Sequence, residues 1–151
     1  MVAAVHGAVA GAGLAVMLSR DLVVAEPRTK FVFAYQSIGL TPDCGVSWLL
    51  PRAIGQQRAL SFALGGQSLP ADEALTWSMV TEVCDQAAAR GREMATSLAA
   101  GPARALGHSR RLLRANWETD RAAAGADEAR TINEMVQGEE AQELIRRFVR
   151  R

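Results

Sequence analysis

The chain has 151 residues, 49% of them hydrophobic, with 17 basic and 16 acidic side chains. That is enough for a real core, and the charge is too balanced to call for nucleic acid as a partner. Lys30 is the only lysine, and Cys44 and Cys84 are too few and too far apart for a disulfide framework or a metal site, so a reduced, cytoplasmic protein without a metal is the expectation. The opening Met1 to Ala15 is apolar but has no basic n-region and holds three glycines, with Arg20 close behind. It fits neither a signal peptide nor a membrane span.

In chain order, Val2 to Val5 reads as a strand feeding three glycines, Gly7, Gly11 and Gly13. Gly11 to Ser19 follows as an apolar helix that should be buried on most sides. Leu22 to Ala25 is a second strand closed by Pro27, and Phe31 to Tyr35 a third. The turn Gly39-Leu40-Thr41-Pro42-Asp43 sets Asp43 as the N-cap of a helix over Cys44 to Leu50, stopped by Pro51. Helices are predicted over Gln56 to Leu64 and Pro70 to Trp77, and a last strand over Val80 to Cys84. From Asp85 onward the pattern is helical, broken at Gly101-Pro102 and thinned at Gly125 and Gly138.

The glycine stretch admits two chemistries, because a strand leading through glycines into a helix presents bare N–H groups to a ligand. One is a dinucleotide phosphate: Gly7-x-x-x-Gly11-x-Gly13 has the spacing of the short-chain dehydrogenases, and Leu22 to Glu26 supplies an acid for a ribose. An NAD(P)-dependent oxidoreductase of that kind needs a Tyr four residues before a Lys, whereas Lys30 lies five before Tyr35. The other is the oxyanion of a thioester. Val2-Ala3-Ala4-Val5-His6-Gly7-x-x-x-Gly11-Ala12-Gly13, Arg20-Asp21-Leu22-Val23-Val24-Ala25, Ile38-Gly39-Leu40-Thr41-Pro42-Asp43, Leu50-Pro51-Arg52-x-x-Gly55, Gly65-Gly66 and Ala71-x-x-Ala74-Leu75-x-Trp77 together resemble the enoyl-CoA hydratase/isomerase (crotonase) superfamily over about a hundred residues.

The resemblance implies an α/β fold: part of the crotonase spiral of ββα units over residues 1–100, then a helical oligomerisation or lid region over 101–151. It also implies an acyl-CoA thioester as substrate, no cofactor, and a trimer or hexamer built through the later helices. Family members carry strands and a second oxyanion donor ahead of the matched segment. The first donor falls on the Ala12 N–H, with Gly11 and Gly13 admitting the thioester. The two hydratase glutamates fall on Ala15 and Tyr35, neither of which activates water. Asp43 matches the acid of the Δ3,Δ2-enoyl-CoA isomerases and the phenylacetate-pathway epoxide isomerases, and the same position is a nucleophile in 4-chlorobenzoyl-CoA dehalogenases. One carboxylate suffices for an isomerase. Tyr35 would line the pocket, exclude water and raise the acid's proton affinity.

The alternative on the same scaffold is a non-catalytic homologue or partner subunit. His6 is expected to be structural, hydrogen-bonded in its turn, and His108 solvated. Trp48 and Trp77 are expected in the core, and Ser37 and Ser47 lack a nucleophile elbow. Val46 and Ser78 stand where the family has glycine, Val46 crowding the site and Ser78 closing its helix.

Overall fold

The computed structural model describes residues 1–150, which form two compact units, Met1–Ala95 and the chain from Thr96 onward. In the first unit, β1 (Val2–Val5), β2 (Ala8–Ala10) and α1 (Ala12–Leu18) make one ββα turn. β3 (Leu22–Ala25), β4 (Lys30–Val32) and α2 (Val46–Ile54) make the next. Each turn gives one strand to each of two sheets. β1 pairs in parallel with β3, Val2 opposite Leu22 and Val5 opposite Ala25, while β2 pairs in parallel with β4, Val9 opposite Phe31. This is the expected spiral.

The chain then adds α3 (Gln56–Gly65), β5 (Leu69–Pro70), α4 (Ala71–Thr76) and β6 (Glu82–Val83). These strands complete the sheets in the orders β1-β3-β6 and β2-β4-β5. β3 lies between two partners and is apolar along its length, as a central parallel strand must be. Phe31 does the same for the second sheet, fully buried among Leu14 and Met17 of α1, Val46, Leu50 and Ile54 of α2, and Phe62 of α3.

Several elements depart from the sequence reading. β2 is an additional strand, and the third predicted strand is shorter, ending at Val32 because the chain turns at Ala34-Tyr35 into a 3-10 turn over Gln36–Ile38. α1 is buried only on the side of Leu14, Ala15 and Met17; Val16 is 59% exposed. Asp43 does not cap α2. Cys44 and Gly45 are both left-handed, with φ of 51° and 84°, and they carry the chain on so that α2 starts at Val46 with no side-chain cap.

Pro51 does not stop α2 either, and the helix runs to Ile54. An interior proline costs about 3 kcal/mol. Val46, Leu50 and Ile54 recur every four residues and are all buried, each contributing about 1.5–3 kcal/mol, so packing outweighs the lost hydrogen bond. Val46 therefore fills the core.

α5 (Ala87–Ala99) follows β6, with Ala87 and Gly91 buried. The second unit holds α6 (Ala103–Ala115), α7 (Arg121–Val136) and α8 (Glu139–Val149). Asp120 caps α7 through the Ala123 N–H at 2.9 Å, and Gly125 lies within α7 without interrupting it. Arg111 of α6 grips Asp127 of α7 at 2.5 and 3.1 Å and reaches the buried Thr131 hydroxyl at 2.8 Å. α8 leaves Leu144, Ile145, Phe148 and Val149 exposed.

Two outcomes follow for stability. Ser78 holds φ at 65° just beyond α4, donating its N–H to Leu75 O while Met79 donates to Ala74 O, the paired closure that favours glycine. Ser78→Gly should stabilise the chain by about 1 kcal/mol by removing left-handed strain, read as a higher urea midpoint. The Asp127 carboxyl is held below its ordinary value, first by its hydrogen bond from Arg111. Its stabilisation is complete above about pH 4, the unfolded value, and is lost as pH falls through the lower folded value. Asp127→Asn should therefore weaken the helices at neutral pH and flatten their pH dependence below about pH 4, measured by circular dichroism in urea from pH 2 to 7.

Candidate functional site

The glycine turn is shaped by strand pairing. β2 ends at Ala10 opposite Val32, and the Gly11 N–H donates to Val32 O at 3.4 Å. Gly11 then takes φ 53° and ψ −126°, a conformation in which an L side chain is strained, and turns the chain directly into α1. α1 has no side-chain cap, so the N–H groups of Ala12 and Gly13 have no acceptor within the helix. Both residues are exposed, and a Cβ at Gly11 would meet nothing within 4 Å. The opening is free of side chains.

β4 builds the other half. Three residues beyond Val32 the chain reaches Tyr35, whose ring is 7% exposed and packs edge-on against Phe33 at 5.2 Å between centroids. Phe33 in turn meets Phe62 of α3 at 6.1 Å. The Tyr35 carbonyl accepts from Ile38 N at 3.2 Å and Leu40 N at 2.9 Å, so ring and backbone are both fixed. From this buried base the hydroxyl donates to Asp43 Oδ1 at 2.7 Å.

Burial, and next the hydrogen bond to Asp43, hold the phenol above its ordinary value, so it stays a neutral donor. The Cys44 thiol is also pushed up, chiefly by the adjoining Asp43 carboxylate. A carboxylate held by a neutral donor is a positioned acceptor rather than half of an ion pair.

Asp43 itself is exposed. The apolar surround expected of it is not formed by residues of this chain, and Tyr35 binds the carboxylate rather than drying it. Tyr35 and Asp43 are brought together, as are Gly11, Ala12 and Gly13. Sequence reasoning missed the link between the tyrosine and the acid, and missed Cys44; the signal was a phenol eight residues ahead of an acid with a glycine turn between. Ala15 lies on the buried face of α1.

His6 is exposed and His108 half-buried. Trp48 departs from the core expectation: it is exposed, with the Arg52 guanidinium 3.7 Å above its ring centre. Trp77 is partly buried against the core. The dinucleotide reading gains nothing, because the single tyrosine hydroxyl is engaged with Asp43 and not with a lysine. Among the described residues no group of three or more His, Cys, Asp or Glu side chains could hold a metal, and no helix is long and apolar enough to cross a membrane.

An open, mostly apolar groove of about 800 Å³ runs between β1, β2 and α1, lined in part by Val2, Ala4, Ala8, Ala10, Gly13 and Val16. β1 and β2 are the edge strands of their sheets.

The 1,2-epoxyphenylacetyl-CoA isomerase of Escherichia coli K12 is 42% identical over 109 residues, 71% of this chain and 42% of that protein. The 4-chlorobenzoyl coenzyme A dehalogenase-1 of an Arthrobacter species is 40% identical over 102 residues, 66% of this chain and 37% of that protein. The crystal structure of an enoyl-CoA hydratase/isomerase from Cupriavidus metallidurans CH34 superposes with a TM-score of 0.91 at 35% identity, over 98% of this chain and 57% of that one. The chain thus spans about half the length of the relatives it matches. The family described as enoyl-CoA hydratase/isomerase matches residues 1–151. With its two-sheet ββα spiral and its glycine-opened first helix, the chain belongs to the enoyl-CoA hydratase/isomerase family, within the crotonase superfamily.

Proposed function

We propose that this chain is the isomerase-type portion of an acyl-CoA enzyme, with the Ala12 N–H as oxyanion donor, Gly11 and Gly13 as the walls of the thioester channel, and Asp43 as the single base. One observation carries this reading: an uncapped helix start and an anchored carboxylate are fed by adjacent strands, β2 and β4. The Asp43 carboxylate takes a proton from C2 of a 3-enoyl-CoA. The electrons pass into the thioester, whose oxygen becomes an enolate hydrogen-bonded to Ala12 N–H. The same proton then returns to C4, leaving the double bond between C2 and C3. No water is consumed, which agrees with alanine and tyrosine at positions 15 and 35. No cofactor takes part, the CoA thioester being the substrate.

A second reading, a non-catalytic scaffold completed by a partner, is favoured by the exposure of Asp43 and the open groove along β1 and β2. Appearance of 2-enoyl-CoA absorbance from 3-enoyl-CoA distinguishes the two. Isomerisation should occur and fall about 100-fold or more in Asp43→Asn, the scale of a lost general base. If neither 3-enoyl-CoA nor crotonyl-CoA changes and calorimetry detects no CoA ester, the enzyme reading fails.

Assembly into a trimer or hexamer belongs to the same proposal. It is supported by α8, where Phe148 is 79% and Val149 76% exposed on one helix end. Phe148→Asp should lower the mass seen by light scattering; an unchanged mass removes α8 from the interface.

A further inference from the structure

We infer that Tyr35 is a positioning residue for the Asp43 carboxylate: its hydroxyl holds Oδ1 and so presents Oδ2 as the oxygen that carries the proton. The inference rests on the isomerase reading for its catalytic meaning and on geometry for its substance. Asp43 lies on an exposed stretch, Leu40 to Asp43, without helix or strand structure, and its side chain caps no helix. Left alone, such a side chain would sample several rotamers. Tyr35 is the opposite case, buried, ring-packed on Phe33 and tied through its carbonyl to Ile38 and Leu40. The 2.7 Å bond therefore ties the exposed partner to the buried one.

Proton transfer needs that order, since a base misplaced by an ångström loses much of its rate. The Cys44 thiol is the other titratable group beside the carboxylate, and being held up it stays protonated near neutral pH. Tyr35 thus acts through Asp43 and need not touch substrate.

Tyr35→Phe keeps the ring and removes only the hydroxyl. With 3-enoyl-CoA, kcat should fall about tenfold at unchanged KM. In an Asp43→Asn background the same change should have no further effect, since the carboxylate it acts through is gone. Independently of turnover, the vicinal Hα–Hβ couplings of Asp43 should report one rotamer in the parent chain and averaged rotamers in Tyr35→Phe.

Asp43 couplings unchanged by Tyr35→Phe overturn the inference, as does a kcat loss of equal size when Asp43→Asn is already present. Full activity in Asp43→Asn would defeat the isomerase reading, while the Asp43 couplings would still decide whether Tyr35 holds the acid. A urea midpoint for Tyr35→Phe close to the parent's excludes unfolding as the cause of any loss.

Discussion

The parallel pairing of β2 with β4 is the constraint from which the candidate site follows. Val9 faces Phe31 and Ala10 faces Val32, and from that point the two strands diverge, one through Gly11 into α1 and the other through Phe33 to Tyr35. The bare amides of Ala12 and Gly13 and the anchored carboxylate of Asp43 are thus referenced to a single register. A slip by one residue would turn Phe31 out of the core, so the register is held by the same burial that holds the fold.

Rigidity is unevenly distributed around this register. The aromatic series Tyr35, Phe33 and Phe62 runs from the site into α3, and the buried Val46, Leu50 and Ile54 lock α2 behind Asp43. Between them, the segment from Leu40 to Gly45 is exposed but for Pro42 and ends in two left-handed residues. Cys44 at φ 51° is strained there, as residues beside functional groups often are. The acid therefore sits on an exposed irregular stretch and takes its order from a side chain that is buried and ring-packed.

Much of this could be read in the sequence where one cause dominates. Leu22 to Ala25 is apolar throughout and can only be a strand buried on both faces, and Gly65-Gly66 ends α3 where expected. β2 was hidden because Ala-Val-Ala between glycines has no periodicity; only its partner β4 makes it a strand. The helix through Pro51 was hidden because local propensity says stop while three buried side chains say continue. Asp43 was misjudged as a cap for a related reason: side-chain capping is local, whereas its actual partner is a phenol across a turn. The family pattern located the glycine opening and the acid, but the chain's own departure, tyrosine where hydratases carry glutamate, had meaning only once the hydroxyl was seen on the carboxylate.

The flank formed by β1 and β2 has a further bearing on how the molecule behaves. Two edge strands lie along one groove, lined largely by alanine and valine and carrying no proline within either strand. Natural edges are usually blunted by charge, bulge or cover, and this pair has few such defences. The unpaired backbone groups along β1 and β2 are therefore placed where an added extended segment, from whatever source, would continue both ladders at once.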